Sequence, residues 1–237
     1  MDKFKILITP WHGDPSAPPY IESTFTEKID GKDPYNKPVY SNDWFNYSPM
    51  RAGKPVPLTD EYKLPPSFYW ICSGVKKLDT DYYAHAKGVI LSEDFYRFLQ
   101  QYSCADTFEV AEVQALSKKL EPISDKKYFF LRFTKQSIQD YIDLAKSEKQ
   151  KRENKVVPMF VYTDFAIKSD DGLPDYFWLK NELIAKQPLG DEINGRHFKG
   201  FKMVALKVYA DEIHFRDQHP YPDLAIMEER DSAIFNT

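Results

Sequence analysis

Cysteine is scarce in this chain of 237 residues, glycine is sparse, and no long apolar run occurs. Cys72 and Cys104 are the only cysteines, and both lie among apolar or aromatic neighbours. That excludes a secreted disulfide scaffold and predicts two reduced, buried thiols. The nine glycines nowhere form G-x-G-x-x-G or G-x-x-x-x-G-K, so dinucleotide and phosphate-loop enzymes drop out. The N-terminal MDKFKILITPW holds too few apolar residues for a signal segment or a membrane span. A cytoplasmic protein without membrane association is expected. The nucleophile elbow G-x-S-x-G is missing, and neither cysteine has a catalytic flank.

Charge is present but segregated. The net charge is −4, which disfavours a general phosphate-binding surface. From Ser117 to Lys155 there are eleven Lys/Arg against six Asp/Glu, whereas Val208 to Thr237 has two against seven. A basic middle and an acidic tail result. Lys146, Lys149, Lys151 and Arg152 cluster where a helix C-terminus would welcome cations.

Proline and aromatics mark the organisation. Eleven of the seventeen prolines fall in residues 1–66, interleaved with Trp11, Tyr20, Phe25, Tyr35, Tyr40, Trp44, Phe45, Tyr47 and Tyr62. Such a segment cannot be a long helix, and its rings are too many for a simple disordered tail. Residues 1–66 therefore read as an ordered arm packed on a main domain of residues 67–237, with Lys5 to Thr9 able to supply one strand. The rings around Asp43, Trp44 and Tyr47 are either tucked inward or offered to a partner.

The clearest unit runs from Gly88 to Val113. The apolar Val89-Ile90-Leu91 stops at Ser92, a helix cap followed by Glu93 and Asp94. Phe95, Phe98, Leu99 and Tyr102 then recur on one helical face before alternation resumes through Phe108, Val110 and Val113. Further strands are expected at Phe68 to Cys72, Asp79 to Ala84 and Lys127 to Phe133, the last of them central. Ser137 opens a helix that runs to Glu153-Asn154. Val156 to Phe165 and Asp175 to Leu179 read as a hairpin-like pair around the turn Ser169-Asp170-Asp171-Gly172. A short helix over Leu189 to Phe198 precedes a long strand from Phe201 to Tyr209, which Glu212 to Phe215 extend. Leu91-Ser92-Glu93-Asp94 and Leu189-Gly190-Asp191-Glu192 resemble each other faintly as acidic helix starts. The whole predicts an α+β fold: a mainly antiparallel mixed sheet with a few short helices.

No reaction centre emerges. Asp211, His214, Asp217 and His219 are the densest set of metal-ligating types, but a strand at His214 and Pro220 after His219 separate them, so no metal is expected. His12 and His85 are lone. No cofactor is implied.

Three segments carry a resemblance: Val89 to Phe95, Lys127 to Phe133 and Phe198-Lys199-Gly200-Phe201. They resemble immunity proteins of bacterial polymorphic toxin systems, nearest to immunity protein 43 and its relative immunity protein 11. In those a hydrophobic strand leads into an acidic-capped "V-S-E-x-F" helix, a tyrosine-rich strand follows, and a "K-G-x-x-F/V" segment closes the chain. The similarity covers roughly Phe68 to Tyr209. It implies a non-enzymatic protein that binds the C-terminal domain of a cognate toxin and blocks its active site or substrate approach. No catalytic residue is carried over. Binding should rest on aromatic anchors ringed by charge, with acidic groups facing the toxin. The candidates are Tyr221, Asp223, Glu228, Glu229 and Asp231 in the tail, Asp170 and Asp171 in the turn, and Asp43, Trp44 and Tyr47 in the arm. Two other readings stay open: an enzyme with a dispersed site, such as a hydrolase or one that reverses a toxin's modification, and a nucleic-acid module using Lys146 to Lys155, although no nucleic acid is expected.

Overall fold

The computed structural model describes residues 3–10, 22–29, 43–48, 50–51, 54–152, 159–169, 171–219 and 224–235. In chain order the elements are β1 (Phe4–Ile8), β2 (Glu22–Thr26), α1 (Asp43–Asn46), β3 (Met50–Arg51), β4 (Lys54–Pro55), β5 (Ser67–Ser73), β6 (Tyr82–His85), β7 (Gly88–Ser92) and α2 (Glu93–Leu99). There follow β8 (Thr107–Ser117), β9 (Tyr128–Lys135), α3 (Ile138–Tyr141), β10 (Lys149–Lys151), β11 (Phe160–Tyr162), β12 (Tyr176–Leu179) and β13 (Glu182–Lys186). The last four are α4 (Gln187–Gly195), β14 (Lys202–Ala205), α5 (Leu206–Gln218) and α6 (Leu224–Phe235). The fold is α+β, and among the described strands only β5 and β8 pair in parallel. Two units divide the chain: one holds β1, Tyr102–Ala105 and the described residues from Gln136 onward, the other holds β2 to α2 with β8 and β9. Residues 1–66 thus contribute strands to both.

In the second unit the sheet order is β2-β5-β8-β9-β7-β6. The run Lys127 to Phe133 lies inside it, with β9 between β7 and β8, as its apolar character predicts. Every residue of β7 is buried. A Cβ at Gly88 would stand 2.1 Å from the Leu131 carbonyl oxygen, so only glycine lets the start of β7 lie this close to β9. Ser92 caps α2 as read: its Oγ accepts from the Phe95 N–H at 3.3 Å, and Phe95, Phe98 and Leu99 turn inward. The core is aromatic, with Phe25 against Phe68 at 4.9 Å and against Phe130 at 5.6 Å.

The first unit has a four-stranded antiparallel sheet of order β12-β13-β1-β14 and a separate two-stranded β10-β11 sheet. In β1, Phe4, Ile6 and Ile8 alternate into a core with Phe177, Ile184, Val204 and Leu206. Lys5 points to the other face, where its ammonium meets Asp191 of α4.

One module is built twice. β6-β7-α2-β8 and β12-β13-α4-β14 are each a hairpin, a helix with no linker, and a strand. A further strand lies between the hairpin and the last strand, β9 in one unit and β1 in the other. Hydrogen bonds follow suit: Ser92 N–H donates to Asp81 O and Lys186 N–H to Asp175 O, while Glu93 N–H donates to Lys127 O and Gln187 N–H to Lys3 O. Asp81-Tyr82-Tyr83 therefore corresponds to Asp175-Tyr176-Phe177, and Ser92 to Lys186. The faint sequence match sets Leu91 against Leu189, about one helical turn out of this register. Where Tyr96 lies on Phe129 at 5.1 Å in one copy, Gly190 lies on Lys5 in the other.

Three expected elements differ. The helix after Ser137 is the single turn α3, because Ile142 is extended and bridges Ile167. Asp143 then takes over the backbone: its carboxylate accepts from Ala145 and Lys146 N–H, and the Ser147 hydroxyl donates to its carbonyl. The cations from Lys149 to Lys151 thus sit on β10, not at a helix end. The strand Asp175 to Leu179 finds its partner in β13, and β11 pairs with β10. The long strand from Phe201 stops at Ala205 and becomes α5, which also absorbs Glu212 to Phe215.

Candidate functional site

The structure sorts the candidate partner residues by burial. Trp44 and Tyr47 are turned into the second unit: Trp44 packs on Phe68 at 5.5 Å, and the Tyr47 hydroxyl donates to Val56 O. Apolar ring area explains the inward choice, since both rings find a closed aromatic core and the indole N–H a carboxylate, Glu27, to donate to. Asp43 and Asp171 are exposed. Asp170, Tyr221 and Asp223 lie outside the described residues. Glu228 and Glu229 are exposed on α6, whereas Asp231 is buried.

The surface around α6 is built from α5, which apolar periodicity does not reveal. Its buried positions include two carboxylates, Glu212 and Asp217, beside Leu206 and Ala210. Each carboxylate is neutralised from a neighbouring element. Glu212, 1% exposed, accepts from Arg216 on its own helix at 3.0 Å and from Arg230 of α6 at 3.1 Å. Asp217 takes a two-pronged contact from Arg152, just past β10, at 2.7 and 2.8 Å. This pairing raises the Arg152 pKa above its usual range, whereas burial lowers that of Arg216. Arg230 also lies over the Phe215 ring at 4.3 Å. Desolvation offsets much of what such buried pairs gain, whereas loss of one partner leaves a buried charge uncompensated.

That lock orients α6. Arg230 and Asp231 face α5, with Ile234 and Phe235 on the core, and the opposite stripe of Ala225, Glu228, Glu229 and Ser232 is exposed. On β11, Phe160 is 48% exposed and Met159 just before it 40%, while β10 is exposed throughout. An acidic helical stripe and a basic, apolar hairpin thus flank one buried ionic frame. The indentation between hairpin and α5, lined by Gln150, Val161, Ala210 and His214, is a shallow surface dip with no enclosed space for an organic ligand.

The four metal-ligating types do not converge: Asp217 is committed to Arg152, His214 contacts Gln218, and His219 stacks on Phe215. Among the described residues no three His, Cys, Asp or Glu could share an ion. Nor is any described helix long and apolar enough to cross a membrane.

The sequence model of the family described as immunity protein 43 matches residues 15–221. The chain belongs to that family. No curated protein matches it. The α5 frame of this immunity protein is the part that sequence reasoning missed. Its only advance signal is the segregated charge: Arg216 and Arg230 are the two cations of the acidic tail, and Arg152 belongs to the basic middle.

In its second unit this immunity protein carries a half-buried histidine. His85 lies against Phe25 at 4.6 Å and Phe130 at 6.1 Å, and its Nδ1 accepts the Lys87 N–H. Burial, with Lys87 nearby, lowers its pKa to about 4. The unfolded chain therefore binds the extra proton first. Stability from His85 is full above pH 6.5 and falls as the pH drops toward about 4, by up to about 3 kcal/mol. Urea unfolding at pH 7 and pH 4.5 should show this loss, and His85→Phe should remove most of it.

Proposed function

We propose that this immunity protein binds and neutralises a cognate secreted antibacterial toxin domain, covering its active site or the approach of its substrate. It acts in the cytoplasm of the producing cell and its kin, by binding and without catalysis. Family membership is the observation that carries the reading. The exposed Glu228 and Glu229 on α6 support it as an acidic contact surface, and the Arg230–Glu212 bond holds that surface in place before any partner arrives. Asp43 and Asp171, both exposed, are further acidic contacts in the proposal, as are Asp170 and Asp223, with Tyr221 as an aromatic contact.

Co-expression with the toxic C-terminal domain encoded next to the gene tests the reading. Survival and co-purification are expected; death with no complex rejects it. Glu228→Lys with Glu229→Lys should slow association about tenfold at low salt, with a smaller difference at high salt. Unchanged association rates would remove α6 from the contact.

A further inference from the structure

Each of the two larger sheets has two outer strands, and three of these four edges are capped. At β14 the Asn194 amide takes both outward groups of Met203: its Oδ1 accepts the N–H at 2.8 Å and its Nδ2 donates to the carbonyl at 2.9 Å. At β6 the Thr80 hydroxyl does the same for Tyr82, accepting the N–H at 3.4 Å and donating to the carbonyl at 2.8 Å. At β12 the Tyr176 N–H donates to Ser103 O, and Cys104 bridges Tyr176. Such caps keep strand edges from pairing with other chains.

Among the described residues, β2 has no cap. The Glu112 N–H donates to Pro66 O, which turns Phe68, Trp70 and Cys72 toward β8 and leaves Tyr69, Ile71 and Ser73 to face β2. Thr26, Thr24 and Glu22 meet those three, so the N–H and C=O of Ser23 and Phe25 point away from the sheet. No described residue bonds them there. β5 is the only described element that runs along β2.

The surroundings of this edge define what fits it. A residue opposite Phe25 on an added strand lies on the same face as the Phe25 ring. On that face the half-buried rings of Phe45 and His85 stand 6.1 and 4.6 Å from Phe25, which suits an apolar side chain. Lys87 Nζ lies 5.9 Å from the Phe45 ring, and the exposed Lys28 follows the strand. Neither lysine has an acidic partner among the described residues, and Glu27 is committed to the Trp44 indole. The lysines mark the Thr26 end of the edge and Glu22 the other. Two copies joined edge to edge would bring the same lysines to one seam, which deters self-pairing.

We infer that the β2 edge receives an extended segment of the toxin domain as a further strand, bonded through its main chain to Ser23 and Phe25, with an apolar side chain on Phe45 and His85 and an acidic one beside Lys87. Strand addition takes its affinity from main-chain bonds and its specificity from alternate side chains. This rests on the function proposed above and adds a main-chain contact to the acidic surface of α6.

The experiment follows amide hydrogen exchange of the full chain by nuclear magnetic resonance, with and without the neighbouring toxin domain, and measures binding by surface plasmon resonance. In the free chain the Ser23 and Phe25 amides should exchange at least about tenfold faster than those of Thr24 and Thr26, and the toxin should slow them by at least that factor. Ser23→Pro removes one outward donor without touching the ladder to β5, so the thermal midpoint should hold while the dissociation constant rises at least about tenfold. Lys28→Glu with Lys87→Glu should lower the association rate by a similar factor at low salt. No binding by the unaltered chain would reject the immunity reading itself. Toxin binding that leaves Ser23 and Phe25 exchanging as in the free chain would overturn this inference alone, whatever the variants do. So would protection of those two amides that grows with protein concentration in the absence of toxin, which would assign the edge to a second copy.

Discussion

A chain that lacks residues 1–9 should lose the fold of the first unit and keep that of the second. β1 is an inner strand: it pairs with β13 through Phe4, Lys5 and Ile6, and with β14 through Lys5 to Ile8. Its removal leaves both neighbours with unpaired edges and exposes the core that Phe4, Ile6 and Ile8 fill, each no more than 2% exposed. Burial of three such side chains contributes about 1.5–3 kcal/mol each, and the two lost ladders add to that. The sum is comparable to the whole stability of a domain, about 5–15 kcal/mol. Hydrogen exchange should show protection lost in β12, β13, β14 and α5 and retained in β5, β7, β8 and β9. Protection retained throughout would show that β13 and β14 can close without β1.

The second large effect is expected at Arg132, which is 3% exposed on β9. Its guanidinium bonds the Glu109 carboxylate and the carbonyls of Trp44 and Tyr62, and lies over the Tyr47 ring at 4.9 Å. Glu109 in turn accepts the Leu64 N–H at 2.8 Å. One side chain thereby ties the segment from Trp44 to Leu64 to the sheet. Arg132→Met leaves the half-buried Glu109 carboxylate without its counter-ion and two carbonyls without donors, at a cost of about 3–5 kcal/mol. Chemical unfolding should show that loss, and limited proteolysis should cut first between Trp44 and Leu64. Arg132→Met combined with Glu109→Leu should recover part of the stability, because no partly desolvated charge is left without a counter-ion. A loss below 1 kcal/mol for the single variant would show that water replaces the guanidinium.

What could be read from the chain follows the range of the interactions. Ser92 capping Phe95, the buried face of α2 and the run that forms β9 depend on residues close in sequence, so period and capping chemistry reveal them. α5 was illegible because Glu212 and Asp217 occupy its buried face, and their neutralisation comes from Arg230 and from Arg152, far along the chain. Alternation from Phe201 to Tyr209 then favours a strand where only the first part is one. Trp44 could not be placed for a similar reason: the ring pocket and the Glu27 acceptor that hold it are assembled by the fold.

The sequence by itself determined the α+β class, the strand, capped helix and strand from Gly88 onward, and the likeness to immunity proteins, because these rest on local periodicity, hydrogen bonding and short motifs. Only the tertiary structure decided that β1 and β9 complete equivalent modules, that α5 is a helix, and that Glu228 and Glu229 face outward while Asp231 does not. Strand partners and counter-ions are chosen across long stretches of chain, and no local pattern records which of the available partners lies within reach.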